Sequence, residues 1–239
     1  MAEFHEIKKH WDEVGGERYH YFWESSFSHQ KLSEREKEFI KKFIPKARVK
    51  ALDYGTGSGR FLNVLLENSS FDSEIYALDI SEEMVKYCLE IYGNNKKIKG
   101  IEIIRKRKEL YSYYQTKFDF ITAIRVLKYN SNWQEILKNL FDLLSDNGMI
   151  IFTMPKKYLI NRIIKQKNLF RKNIGEIKEI GEKNNMKIIE IKGFAKIPEI
   201  FYGVNNKLFS KILLFTEKIL RIIFGEQLFE REVFYVSQK

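Results

Sequence analysis

From Asp53 to Gly59 the chain reads Asp-Tyr-Gly-Thr-Gly-Ser-Gly, an acid followed by three glycines at alternate positions. Glycine lacks a Cβ and takes positive φ freely, so a run of this kind brings backbone close to a ligand. A second acid, Asp79, stands about 20 residues beyond the loop, the offset at which a carboxylate meets ribose hydroxyls. This pairing suits a nucleoside-bearing ligand, with Asp53, Gly55, Thr56, Gly57, Ser58, Gly59 and Asp79 as candidates for holding it. The dinucleotide fingerprint G-x-G-x-x-G would need a glycine at position 60, where Arg60 stands. Metal chemistry has no comparable support. The four histidines, His5, His10, His20 and His29, show neither ligand spacing with acids nor a cysteine partner. The single cysteine, Cys88, reads as a small apolar residue on a helix.

The elements that must position these groups are legible around them. The apolar run at residues 49–52 reads as a buried strand delivering Asp53, and Phe61, Leu62, Leu65 and Leu66 recur at helical spacing behind the loop. Residues 75–78 form a second strand ending at Asp79, and Ser81 caps a helix whose buried face carries Met84, Val85, Cys88, Leu89 and Tyr92. Further strands are expected at residues 101–104, 118–124 and 149–155, with a helix over 134–144. The turn before residue 149 needs a positive φ, assigned to Gly148. A helix over 174–184, a strand over 186–194, a helix over 207–224 and a strand over 232–236 complete the chain. Upstream, residues 33–43 read as a helix with Ser33 as its N-cap and Pro45 beyond its end.

The pattern Asp53-x-Gly55-x-Gly57-x-Gly59 resembles the first motif of class I S-adenosylmethionine-dependent methyltransferases of the small-molecule type. Phe118-Asp119-Phe120-Ile121 resembles that family's F-D-x-V/I strand. Arg125-Val126-Leu127-Lys128-Tyr129 resembles its next segment, with Lys128 and Tyr129 where histidines are frequent. Asp146-Asn147-Gly148 substitutes for its usual turn before strand five. The resemblance spans about residues 45–195. It implies an α/β fold: a Rossmann-like, seven-stranded, mostly parallel sheet with helices on both faces, the last strand antiparallel, and a helical arm in front. It implies S-adenosylmethionine as cofactor and S-adenosylhomocysteine as product, with Asp53 near the cofactor's ammonium group, directly or through water. Ile80, Met84 and Arg125 join the cofactor set. One departure stands out: Arg107 occupies the place of the acid that binds adenine, leaving backbone groups or Glu109 for that task.

At 239 residues the chain suits one domain, divided into an arm (1–44), a cofactor half (45–155) and a substrate half (156–239). With 19 Phe and 13 Tyr it has ample material for a core, and one cysteine fits a reducing, cytoplasmic setting. No signal-peptide pattern opens the chain, and no uncharged apolar run is long enough to span a bilayer. The arm is crowded with aromatics and reads either as packing or, as the resemblance implies, as a lid. Tyr19, Tyr21, Trp23 and Tyr129 are the candidates for binding the methyl acceptor. A hydroxyl acceptor would need a base, for which His20, His29, Lys128 and Tyr129 are candidates by position. Between residues 156 and 172 lie seven basic side chains and no acid. They suit a small anionic or lipid-linked acceptor, contact with an anionic membrane, or simply a solvated helix face. The helix over 207–224 is expected to pack on the sheet, with Lys207, Lys211, Glu217, Lys218 and Arg221 as a narrow polar face. The net charge of +10 keeps a nucleic-acid-directed methyltransferase or binding protein as the alternative. Against it, the N-P-P-Y type tetrapeptide of nucleic-acid amino-methylating enzymes is absent where Arg125-Val126-Leu127 stands. A non-catalytic scaffold is disfavoured by the presence of both Asp53 and Asp79. Oligomeric state is not legible.

Overall fold

The computed structural model describes residues 2–104, 117–156, 170, 172–197, 201–225 and 232–239. Three helices come first: α1 (Ala2–Val14), α2 (Gly16–Glu24) and α3 (Phe27–Lys41). There follow β1 (Lys50–Tyr54), α4 (Arg60–Asn68), β2 (Glu74–Asp79), α5 (Glu82–Tyr92), β3 (Ile98–Ile103) and β4 (Phe118–Ala123). A 3-10 turn (Leu127–Tyr129) leads to α6 (Trp133–Asp142) and β5 (Leu144–Pro155). The chain continues through α7 (Ile174–Lys183), β6 (Lys187–Gly193), α8 (Lys207–Phe224) and β7 (Glu232–Gln238). The strands form one seven-stranded sheet in the order β3-β2-β1-β4-β5-β7-β6. β7 is antiparallel to both of its neighbours, and the pairs from β3 through to β5 are parallel. This is the Rossmann-like arrangement that the resemblance implied.

Alternation along the strands divides the core between two faces. Ala51, Ala77, Phe120, Ile151 and Phe234 point to the face covered by α3, α4 and α5. Leu52, Leu78, Ile121, Ile150 and Tyr235 point to the face covered by α6 and α7, where Trp133, Leu137, Leu140 and Ile177 meet them. A sheet buried on both faces needs near-continuous apolar strands, which is why β1, β4 and β5 read so clearly in sequence.

Three expectations change in detail. α3 begins two turns before Ser33: Ser26 is its cap, accepting a hydrogen bond from the His29 amide at 3.2 Å. Ser33 lies inside the helix, where its hydroxyl accepts from Arg60 at 3.0 Å. In the turn before the core of β5, the left-handed residue is Asn147 (φ 64°), not Gly148. Gly148 is needed for space instead, since a Cβ there would lie 2.9 Å from the Ser145 carbonyl oxygen. The third change concerns α8. It packs through Ser210, Leu213 and Glu217, so Glu217 sits on the buried face and not among the solvated charges. Its carboxylate accepts from the amides of Lys196 (2.7 Å) and Ile197 (3.3 Å), with Arg35 and Arg221 nearby. Arg221 in turn donates to the carbonyls of Gly193 and Phe194 at the end of β6. No helix among the described residues is long and apolar enough to cross a membrane.

Candidate active site

The loop between β1 and α4 is shaped from beneath. Asp53 is buried, and its two carboxylate oxygens accept from the hydroxyls of Thr56 (2.8 Å) and Thr122 (2.6 Å), the latter reaching across from β4. Burial pushes the Asp53 carboxyl up from its ordinary range, and the two hydroxyl bonds pull it partly back. The amides of Gly55 and Thr56 donate to the Leu78 carbonyl at 2.7 and 2.9 Å, fastening the loop to the end of β2. Gly55, Gly57 and Gly59 all have positive φ (72°, 54° and 79°). Side chains crowd this backbone: a Cβ on Gly55 would lie 2.2 Å from Val126 Cγ2, and one on Gly59 would lie 2.4 Å from Tyr92 Cε2. Only glycine meets both demands.

Asp79, at the end of β2, completes the cradle. Its carboxylate accepts from the Gly57 amide (2.8 Å) and the Ser81 amide (3.0 Å). Burial drives its carboxyl up to about 6, against the pull of these amide bonds. Ser81 caps α5 as expected, accepting from the Met84 amide at 3.2 Å.

A cavity enclosing ≈ 700 Å³, its mouth included, opens above the loop. Of the candidate cofactor residues, Gly55, Gly57, Asp79, Ile80, Met84 and Arg125 are on its wall. Its roof comes from the arm: Phe4, Ile7 and Trp11 of α1 and Tyr19 of α2. Asp12 holds α1 in place by accepting from the Ser81 hydroxyl (2.7 Å) and the Glu82 amide (2.9 Å), while its other oxygen pairs with Lys8 at 2.7 Å. The arm is therefore packing and roof together.

A second, wider cavity of ≈ 1040 Å³, its mouth included, adjoins the first and shares Trp11, Tyr19, Arg125 and Tyr129 with it. Trp11 meets Tyr19 and Tyr129 edge-on, with ring centroids 5.3 and 5.4 Å away. Arg18, Lys128, His10 and Trp23 stand on the wall of this second cavity, with Glu13 as its one acid among the lining residues. Behind Arg125 lies a buried ionic cluster. Glu36 of α3 receives Arg60 at 2.9 Å and both terminal nitrogens of Arg125, and both guanidinium groups lie over the Trp23 ring, at 3.8 and 4.5 Å. Arg125 itself adopts a left-handed backbone (φ 62°), held by its amide donating to Thr153 at 2.7 Å.

Of the candidate bases, Lys128 and Tyr129 reach the second cavity; His20 and His29 reach neither. His20 sits over Tyr87 with Glu24 at 3.8 Å, and His29 is buried among Phe22, Trp23 and Tyr202. Among the acceptor candidates, Tyr19, Trp23 and Tyr129 are brought together, whereas Tyr21 is 69% exposed and on neither wall. Asp53 lies beneath the loop, and Thr56, Ser58 and Gly59 belong to the loop itself but are not on the cavity wall. Trp11, His10 and Arg18 had no motif to mark them as site residues; only the fold of the arm over the loop does so. Arg107, Glu109 and most of the basic stretch at 156–172 lie outside the described residues.

A family model described as a methyltransferase domain matches residues 45–198, more than half of the chain. The chain belongs to this family, the class I S-adenosylmethionine-dependent methyltransferases. A ribosomal protein L11 methyltransferase from Caldicellulosiruptor bescii is 26% identical over 156 residues, 65% of this chain. The match spans only 43% of that relative's length. Among solved structures, the magnesium protoporphyrin IX methyltransferase of Synechocystis PCC 6803, with bound S-adenosylhomocysteine, superposes with a TM-score of 0.67. It is 13% identical and covers 99% of both chains. A Haemonchus contortus phosphoethanolamine N-methyltransferase superposes with a TM-score of 0.57 at 16% identity, covering 86% of this chain and 52% of that one.

Proposed function

We propose that this protein methylates a small anionic acceptor held in the second cavity, with S-adenosylmethionine in the first. What carries the reading is the junction of the two cavities. A glycine cradle with a buried carboxylate lies on one side, a basic aromatic chamber on the other, and Trp11, Tyr19, Arg125 and Tyr129 stand between them.

The chain's residues fit the cofactor. Asp79 offers acceptors suited to ribose hydroxyls, the Gly55–Gly57 backbone allows close approach, and Ile80, Met84 and Ile104 provide an apolar wall for a base. Asp53 acts from below, keeping the loop in shape through Thr56. When bound, the cofactor supplies a methyl group on a sulfonium, already activated for displacement. The protein's part is then alignment and exclusion of water. The Trp11–Tyr19–Tyr129 aromatic group covers the junction against solvent. Arg18 and Lys128 supply the positive charge that suits a phosphate or carboxylate, Arg125 being paired with Glu36, and the ring faces suit a flat or apolar body. For a hydroxyl acceptor, Tyr129 and His10 are the groups placed to take its proton, and Lys128 could do so only in its neutral form.

Calorimetry with S-adenosylhomocysteine, followed by methyl transfer to matched charged and neutral small molecules, tests this. Binding is expected in the wild type, with acceptors bearing phosphate or carboxylate preferred, and Arg18→Ala should raise KM more than it lowers kcat. Absence of S-adenosylhomocysteine binding, or a preference for neutral acceptors, would overturn it.

A further inference from the structure

We propose that the outward face of α8 seats the protein on an anionic lipid bilayer. This goes beyond the catalytic reading and does not depend on it. α8 has 18 residues, about 27 Å of helix. Its apolar residues Leu208, Ile212, Phe215, Ile219 and Ile222 follow one another at intervals of four and three, so they form one stripe. That stripe faces solvent: Leu208 is 70% exposed, Phe215 64% and Ile222 75%, and Ile223 widens it. An isolated exposed leucine needs no explanation, but a continuous stripe along a whole helix marks an interaction surface.

The charges identify what the stripe meets. Lys207, Lys211 and Lys218 are exposed along one flank. The only acid on the helix, Glu217, is fully buried on the opposite face, engaged by the Lys196 and Ile197 amides. The surface that α8 offers outward therefore combines an apolar stripe with cations and carries no anion. This is the composition of a helix lying in the interface of an anionic membrane. Phe201 and Val204, both exposed just before the helix, extend the apolar surface. The same four-three spacing would suit a coiled-coil seam with a second copy of the chain. In such a pair Lys211 and Lys218 flank the seam and find no acid on the other copy's α8, so charge favours the lipid surface.

Flotation of the full chain with vesicles of phosphatidylcholine alone, or of phosphatidylcholine with phosphatidylglycerol, tests the proposal. The wild type should float with the anionic vesicles only, and high salt should release it. Ile212→Glu with Ile219→Glu should abolish flotation. Lys211→Glu with Lys218→Glu should weaken it by about tenfold or more. Phe71→Glu, at an exposed turn elsewhere, should leave it unchanged. Unaltered S-adenosylhomocysteine affinity in the lysine variant shows that the fold is intact. Equal flotation with neutral vesicles, none with either, or unchanged flotation of the isoleucine variant would overturn the proposal. So would a wild-type dimer in light scattering that becomes monomeric in the isoleucine variant.

Discussion

If Asp79 receives the cofactor's ribose hydroxyls, as proposed above, cofactor affinity is a function of pH with a definite direction. Burial raises the empty protein's carboxyl to about 6, from an ordinary 3.8. Ribose hydroxyls donating to it favour the ionised form and lower that value again. Below pH 6 the cofactor must therefore displace a proton as it binds. If the complex returns Asp79 to its ordinary value, linkage makes affinity near pH 5 about tenfold weaker than at pH 7.5, about 1.4 kcal/mol. Titration calorimetry with S-adenosylhomocysteine across that range, in buffers of different ionisation enthalpy, measures both the affinity and the proton released. About half a proton should leave at pH 6. Asp79→Asn should bind more weakly at neutral pH and lose the dependence. The stability of the empty protein moves the other way. Between 3.8 and 6 the folded state holds more protons than the unfolded one, so stability falls by about 3 kcal/mol as pH rises through that window. Affinity that is flat from pH 5 to 7.5, proton uptake on binding, or the same profile in Asp79→Asn would refute this reasoning.

Two further substitutions probe the supports of the site. Glu36→Ala leaves the Arg60 and Arg125 guanidiniums buried without their shared carboxylate, and urea unfolding should register a loss of about 3–5 kcal/mol. A loss below about 1 kcal/mol would show that solvent or other groups take over. Asp12→Ala removes the acceptor that ties α1 to the start of α5, at a stability cost of about 0.5–2 kcal/mol. The roof over the first cavity is then loosened, so S-adenosylhomocysteine should dissociate faster in stopped-flow while its association rate changes little.

The parts of the fold that sequence reveals are those whose local chemistry is also their structural role. The glycines of the loop, the Ser81 cap and the doubly buried strands would be hard to place elsewhere. Asp79 lies where its offset from the loop put it, at the cradle's edge. Ser33 misleads because a serine followed three residues later by Glu36 imitates a helix start, while tertiary structure directs both side chains to Arg60. His20 and His29 are candidates by their position in the arm, yet whether a histidine reaches a cavity depends on which way its helix faces, and the arm turns both away. α8 shows the same limit. Its periodicity defines an apolar side, but the side that turns inward is set by groups remote in sequence, the Lys196 and Ile197 amides and Arg35, which stabilise Glu217 in the interior.

The order of the strands has a consequence for how the molecule is made. β7 lies between β5 and β6, and among the described strands β6 is hydrogen-bonded to β7 alone. During synthesis, β6 and the outer edge of β5 therefore wait, with unpaired backbone, until a segment some forty residues further on emerges from the ribosome. The parallel half from β3 to β5 can assemble earlier from its own neighbours. Completion of the sheet is thus the insertion of one late strand between two that are already waiting. Nascent chains stalled before residue 232 should expose β5 and β6 edges to chaperones, a vulnerability that ends in a single step when β7 arrives.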